Sequence, residues 1–492
     1  MTQTAARIAL AHPGGFFIDG QWVRPRSAET QNVNSCSTEE VVANVPLAND
    51  EDMQRAADAA RRAFDHGPWP RMSPSERATY LRAIAAECER RADDFARVWS
   101  TESGILFKMA QPRIGRFLCG AFNYYAGLAD TFRFEERQRS ASGHLGMLVR
   151  EPVGVVAAII PWNGPAGLMA YKSAPALIAG CTIVLKSSPE APCSAYLMAE
   201  ICEKVGLPPG VFNIVTAGRE VSEGLVRNPA IDKVTFTGST LAGRKIAAAC
   251  GERIARYTLE LGGKSPAIVL DDYDIGAAAK TIAAGLSYVT GQVCHSLTRI
   301  ILPAGRHEAM VEALASAVTA MKVGDPFDPS SDVGPLATAI QRERVESYIA
   351  TGKAEGARLA AGGGRPANQP RGWYIEPTVF GGVDNRSTIG REEIFGPVLC
   401  VIPARDEGHA IELANDSIYG LNASVFTRDA GRFREVANQL RTGTVGQNAS
   451  RTDFSIAFGG YKQSGVGREG GVDGLMPFLE TKTIVADAPY TP

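Results

Sequence analysis

The stretch Gly291-Gln292-Val293-Cys294-His295-Ser296-Leu297-Thr298-Arg299 sets a cysteine in a polar, flexible segment just ahead of the apolar run Ile300-Ile301-Leu302. A freed backbone and then a thiol, on a loop above a strand, is the layout a nucleophile needs. The same layout suits a small buried hydrophobe, the more common fate of a free cysteine. His295 is adjacent, but neighbours on an extended segment point to opposite faces, so adjacency does not make it the base. Leu259-Glu260-Leu261-Gly262-Gly263-Lys264 holds a carboxylate between leucines. Apolar surroundings raise a carboxyl pKa toward that of a general base working near neutrality, and a structural ion pair is the alternative. Ile160-Pro161-Trp162-Asn163-Gly164-Pro165 carries an asparagine on a stiff loop. Its amide either donates to a developing oxyanion or closes an Asx turn. Phe236-Thr237-Gly238-Ser239-Thr240 closes a strand and opens a helix, a place for a phosphate or for a plain cap. Lys186 ends another strand, where a cation reaches a ribose or phosphate. Glu392-Glu393-Ile394-Phe395-Gly396-Pro397 and Phe458-Gly459-Gly460-Tyr461-Lys462-Gln463-Ser464-Gly465 complete the set.

These residues need strands to aim them. The continuous apolar run 153–160 reads as a strand buried on both faces, followed by a helix ending at Gly180. Strands at 182–186, 211–215 and 233–237 alternate with helices, one of them over 191–205 and another after Ser239. A second α/β series begins at Pro266: strand 267–270, a helix to Val289, the strand at 299–302, then a helix near 308–321. Such alternation predicts parallel, doubly wound sheets with ligands beyond the carboxyl ends of the strands. Ahead of this, 16–22 reads as a hairpin turning at Asp19-Gly20, and a helix starts at Asp50. Ser73-Pro74-Ser75-Glu76 is a capping box opening a further helix, and another helix follows Pro112. Residues 127–147 are polar and read as an excursion from the core, and 360–370 as an exposed loop.

At 492 residues the chain exceeds what one core sustains, so two or three domains are expected. A hydrophobic content of 45%, a charged content of 21% and a net charge of -2 give no reason to expect nucleic acid as a partner. The nine cysteines are scattered, without metal-ligand spacing, so no metal is expected. With no leader pattern and no apolar run long enough to span a bilayer, the expectation is a cytoplasmic protein without membrane attachment.

Taken in order, these motifs resemble those of the aldehyde dehydrogenase superfamily, over roughly residues 16–485. The resemblance implies an α/β fold in three parts. A Rossmann-type NAD-binding domain would span 1–126 and 148–261, and a catalytic domain 262–446. A small β bridging (oligomerisation) element would join 127–147 to 474–492, in a homodimer or homotetramer. It further implies that Cys294 attacks an aldehyde, that Asn163 and the Cys294 N–H hold the oxyanion, and that hydride passes to NAD (NADP possible). Glu260 would then activate water to release a carboxylic acid, with Lys172 and Glu480 relaying protons. By the same resemblance, Ile159, Ile160, Pro161, Trp162, Lys186, Gly218, Phe236, Gly238, Ser239, Leu261, Glu393 and Phe395 contact the cofactor. Gly164, Gly167, Leu168, Tyr171, Val293, His295 and Phe458 line the path of the aldehyde, the small-molecule partner.

The Glu260 motif sets the chain apart from the CoA-acylating branch. Intact Cys294, Asn163 and Glu260 set it apart from a non-catalytic scaffold. Departures from the family pattern are Pro189, with Glu190 one step late, where a ribose-chelating glutamate is usual. Gly164 and Gly167 replace bulky residues, His295 a small one, and Ala457 a proline. With no arginine near Lys186 to clasp a 2′-phosphate, NAD is expected to be preferred. The two glycines predict an open apolar tunnel for an aromatic, medium-chain or terpenoid-like aldehyde.

Overall fold

The structure, a computed structural model, describes residues 8–489. The first seven residues, and the last three of the expected bridging element, lie outside the described residues.

Strand Val155–Ile159 is buried along its whole length and alternates between two cores. Val156 and Ala158 pack with the helices Pro74–Arg90, Pro165–Ala179 and Cys193–Lys204. Val155, Ala157 and Ile159 pack with Asp50–His66 and Thr240–Glu252. Parallel neighbours Thr182–Ser187 and Phe212–Thr216 lie to one side of it, and Lys233–Thr237 and Arg256–Glu260 to the other. The chain thus reverses its direction of winding between Val155–Ile159 and Lys233–Thr237. A crevice opens at such a reversal, beyond the carboxyl ends of the strands. The hairpin Phe16–Ile18/Gln21–Val23 and the short strand Gly465–Val466 close this eight-stranded sheet at its two edges.

A seven-stranded sheet over residues 265–447 forms the second body, with Ser265–Val269 and Leu297–Pro303 as adjacent parallel strands. A three-stranded antiparallel sheet joins Leu479–Pro489 to His144–Pro152 and Glu135–Arg139. Sequence and structure differ at the boundaries. Helix Gly120–Thr131 carries the start of the expected excursion, and the strands of the small sheet run on to Pro152. The helix expected after Pro112 already begins at Phe107, and a widened π turn, Gly115–Cys119, follows the proline. The helix expected to reach Val289 stops at Gly285. Strand Arg358–Ala361 overlaps the start of the expected exposed loop. Among the described residues no helix is long and apolar enough to cross a membrane, and no His/Cys/Asp/Glu cluster could hold a metal ion.

The two larger bodies meet along a seam of backbone contacts. Phe107 N–H donates to the Pro326 carbonyl at 2.8 Å. Gly104 sits at φ 81°, so close to the neighbouring chain that an added Cβ would lie 2.1 Å from the Pro335 carbonyl oxygen. Gly104→Ala should therefore combine left-handed strain with a backbone clash and destabilise the protein by about 2 kcal/mol or more. Thermal unfolding checks this, and an unchanged Tm would mean that the seam gives way.

Candidate functional site

Cys294 lies on the connection between helix Ile275–Gly285 and strand Leu297–Pro303, and this connection is strained. Val289, Thr290 and Gly291 are consecutive residues with φ of 47°, 55° and 71°. Left-handed backbone at two β-branched residues persists only where the surroundings enforce it. Neighbouring backbone of the same body supplies that enforcement. Thr290 Oγ1 donates to the Gly334 carbonyl at 3.0 Å, and buried Gln292 accepts from Ala337 N–H at 3.0 Å while donating to the Val289 carbonyl at 2.8 Å. An added Cβ on Gly263 would meet the Cys294 carbonyl oxygen at 2.2 Å, so that glycine lets the loop settle on the Glu260 segment.

Helix Ala92–Ser103 props the opposite wall. Trp99 Nε1 donates to the Asn163 carbonyl at 2.8 Å and Ser103 Oγ to the Trp162 carbonyl at 2.6 Å. Asn163 Nδ2 donates to the Gln292 carbonyl at 2.9 Å, which ties the amide to the cysteine loop and leaves its second N–H for a ligand. Glu260 closes its strand, only 3% exposed, and neither carboxylate oxygen has a hydrogen-bond partner among the described residues. Burial, reinforced by the neighbouring charge of Glu469, raises its pKa well above the usual carboxylate value. Burial likewise pushes the Cys294 thiol up, helped by the negative charges of Glu393 and Glu260. His295 is driven the other way, down to about 4, by desolvation, so its imidazole is neutral near neutral pH.

Cys294, Asn163 and Glu260 line one cavity of about 1280 Å³. Pro161, Trp162, Gly238, Ser239, Leu261, Glu393 and Phe395 line it toward the sheet reversal, and Gly164, Gly167, Leu168, Tyr171, Val293, His295 and Phe458 line the rest. Ile159, Ile160 and Phe236 are buried outside its wall, where the Phe236 ring fills the space beside Gly238. Gly218 caps helix Arg219–Arg227 in open surroundings. Lys186 is 8% exposed at its strand end, its ammonium lowered to about 8 by burial against the opposing pull of Glu190.

The site differs from expectation in two ways. Glu480 is far from Lys172 in its contacts. It pairs with Arg256 at 2.8 Å, and both side chains are about half exposed. The carboxylate on buried Lys172 is Glu469, from the glycine-rich C-terminal turn, and it also lines the cavity. The Arg-Glu-Gly-Gly context of Glu469 gave no sign of this, because the contact spans 297 residues. The tunnel is also less open than the glycines suggest. A Cβ on Gly164 would be 3.9 Å from Trp99, and one on Gly167 would be 3.5 Å from Phe117, so aromatic residues of other helices occupy the vacated wall. Tyr171, Phe454 and Phe458 stack in a row, each ring 4.4 Å from the next.

The groove also suits a dinucleotide. A side chain at Gly238 would strike the Phe236 ring at 2.4 Å, so the backbone there stays bare at the mouth of the crevice. Ser239, on the cavity wall, caps helix Thr240–Glu252 by accepting from Ala242 N–H, and a helix N-terminus is a ready place for a phosphate. Trp162 and Phe395 pack edge to face at 5.4 Å, and Phe395 is held at φ 64°. The Glu393 carboxylate accepts from Gly263 N–H at 3.0 Å, with its pKa raised to about 7 by burial.

A family model described as the aldehyde dehydrogenase family matches residues 22–484. The chain is 45% identical over 468 residues to a geranial dehydrogenase of Castellaniella defragrans, covering 95% of this chain and 98% of that one. It is 43% identical over 473 residues to a 3-succinoylsemialdehyde-pyridine dehydrogenase of a Pseudomonas species, covering 96% and 98%. It superposes on a Mycobacterium tuberculosis aldehyde dehydrogenase complexed with NAD+ at a TM-score of 0.95, with 43% identity and coverage of 99% and 100%. A Pseudomonas syringae aldehyde dehydrogenase solved with NAD+ and octanal superposes at 0.94, with 38% identity and coverage of 99% of each chain.

Because the thiolate is the reactive form, the raised thiol pKa has a direct consequence. Without cofactor, alkylation of Cys294 by iodoacetamide should keep climbing about tenfold per pH unit beyond pH 9, where an ordinary thiol of pKa about 8.5 levels off. Mass-resolved labelling rates check this, and a plateau below pH 8 would mean the thiol is not desolvated.

Proposed function

The chain belongs to the aldehyde dehydrogenase family, and from that premise we propose that it oxidises a neutral apolar aldehyde to its carboxylic acid with NAD, through a covalent bond to Cys294. The observation that carries this reading is the single cavity that joins Cys294, Asn163 and Glu260 to the crevice at the sheet reversal. Cys294 releases its thiol proton to solvent through the cavity, at a cost that its burial raises. The thiolate attacks the aldehyde carbon, and the free Asn163 N–H receives the developing oxyanion. Trp162, Lys186, Gly238, Ser239, Glu393 and Phe395 would hold the cofactor, which when bound supplies the hydride acceptor. Glu260 then takes a proton from water as its oxygen attacks the thioester, and Cys294 leaves as thiolate. Glu469, paired with Lys172, is the next carboxylate from Glu260 and takes over the relay role expected of Glu480.

Relatives include betaine aldehyde dehydrogenases, such as that of Amaranthus hypochondriacus, 38% identical over 482 residues. A quaternary ammonium substrate needs free aromatic faces. Here the faces of Tyr171, Phe454 and Phe458 are spent on one another, and Arg113, Arg116 and Arg451 line the same cavity. A neutral aromatic, medium-chain or terpenoid-like aldehyde fits this slot better. All nine cysteines are free thiols, which supports a reducing cytoplasmic setting. Exposed Ile484 and Val485 on the outer strand of the small sheet support a homo-oligomer, dimer or tetramer.

Cys294→Ala should abolish NADH formation while the protein stays folded. Glu260→Gln should keep a first hydride burst but lose turnover, and Asn163→Ala should lower kcat by on the order of 10²–10³. Stopped-flow NADH absorbance separates these phases, and wild-type turnover in Glu260→Gln would refute the base assignment.

For the substrate, kcat/KM should rise roughly fourfold per added CH₂, about 0.8 kcal/mol each, until the slot is filled. Betaine aldehyde should be poor, and Gly164→Phe should cancel the gain for C8–C10 aldehydes. A panel from acetaldehyde to decanal with benzaldehyde and betaine aldehyde is the check. Preference for betaine aldehyde or acetaldehyde would overturn the neutral-slot reading.

A further inference from the structure

A file of polar side chains leads away from Glu260 along one face of the first sheet. Strands Lys233–Thr237 and Arg256–Glu260 run parallel in register, pairing Thr237 with Glu260, Thr235 with Thr258 and Lys233 with Arg256. Alternate residues of a strand share a face, so Glu260, Thr258, Thr237, Thr235 and Lys233 stand on one side of the sheet. All five are buried. The intervening Val234, Phe236 and Leu259 belong to the apolar core on the other side. Helix Pro165–Ala179 packs over the polar side and contributes Lys172, which bonds Glu469 and lies 3.5 Å from Thr235 Oγ1. Lys233 Nζ donates to Thr258 Oγ1 at 2.8 Å, and Thr258 is the in-register neighbour of Thr235 on the next strand, about 4.8 Å away. Lys172 and Lys233 are thus joined by two facing hydroxyls, within reach of each other directly or through one water.

We propose that Lys233 is the far acceptor of the proton that leaves Glu260, a relay residue connecting the Lys172–Glu469 pair through Thr235 and Thr258 to the amino edge of the sheet. This rests on the reading of Glu260 as the base. The proton that Glu260 takes from water passes to Glu469. The Lys172 ammonium gives a proton to the Thr235 hydroxyl, which passes its own to Thr258, whose hydroxyl turns to donate to Lys233 when that side chain is the neutral amine. Glu469 then reprotonates Lys172, so the net change is one proton lost by Glu260 and one gained by Lys233. Lys233 fits the acceptor role because, among the described residues, no carboxylate pairs with it; it bonds Thr258 and lies 5.1 Å from the centre of the Phe478 ring. Burial lowers its ammonium to about 7; the charge of Lys172 adds to this, and Cys181, Glu469 and Cys250 oppose it. Lys233 opens its strand beside Arg256, whose ion pair with Glu480 is half exposed. The proton is therefore taken up at the amino end of the strands, away from the aldehyde and the cofactor.

The test follows the decay of acyl-Cys294 directly, by intact mass after rapid quench of a single turnover with octanal and NAD, in the full-length enzyme. Lys233→Met and Thr258→Val should form the acyl-enzyme with wild-type burst amplitude, yet hydrolyse it on the order of 10-fold more slowly. The deficit should shrink as a small amine buffer is added, and Lys233→Arg should not restore the rate, because a guanidinium does not give up its proton. Acyl decay at the wild-type rate in both variants would overturn the proposal. So would an equal loss of burst and decay, the mark of a structural defect. If Lys233→Met does not fold, Thr258→Val decides alone, and unchanged decay there overturns the relay. Normal decay in Glu260→Gln would overturn the base reading together with the relay. Slow decay in Glu260→Gln beside normal decay in both relay variants would overturn the relay only.

Discussion

Keeping one thiol and one carboxylate out of water, against a common cavity, is the constraint that the rest of the structure answers. Neither charged form is favoured there, because desolvation raises both pKa values, with the charge of Glu469 adding to it at Glu260 and those of Glu393 and Glu260 at Cys294. Cys294 must lose its proton to be a nucleophile and Glu260 must be ionised to be a base, so both reach their reactive forms against desolvation. The desolvation is built from two directions. The Glu260 strand ends inside a sheet whose outer neighbour, Gly465–Val466, tucks the glycine-rich turn beneath it. The Cys294 loop is forced into left-handed backbone and held there by hydrogen bonds to Gly334 and Ala337 of its own body and to Ser103 across the seam. Strain of this kind costs on the order of 1–3 kcal/mol per residue, and Gln292 and Thr290 offset it by bonding to backbone groups of both bodies.

The same seam explains the composition of the substrate wall. Trp99 both props the Asn163 loop and fills the space beside Gly164. Phe117 faces Gly167 from the π turn that follows Pro112. The aromatic surface that other sequences could carry next to the asparagine is here supplied by helices from elsewhere in the chain. The slot keeps its apolar character, and its ring faces are turned toward each other.

Much of this was legible in the sequence where local chemistry sets the outcome. The all-apolar strand at 155–159, the Ser73 capping box and the Ser239 helix start behave as their residues dictate. The site residues around Cys294, Asn163 and Glu260 were reached by motif order, and the cavity brings most of them together. What was not legible depends on contacts distant in sequence. The carboxylate on Lys172 is Glu469 rather than Glu480, a choice set by how the C-terminal turn threads under the first sheet. Strand Arg256–Glu260 carries the Tyr257-Thr258-Leu259 run typical of strands, yet its motif drew attention to the glutamate alone. The left-handed run Val289–Gly291 contradicts the preferences of its own β-branched residues, so only its surroundings account for it.

The most direct test of a desolvated carboxyl beside the thiol is infrared difference spectroscopy of the wild type against Glu260→Gln, with cofactor absent, across a pH series. A protonated-carboxyl C=O band found in the wild type and missing from the variant should persist well above pH 4.5, the ordinary glutamate value. A Glu260 band lost at or below that value would contradict a desolvated carboxyl.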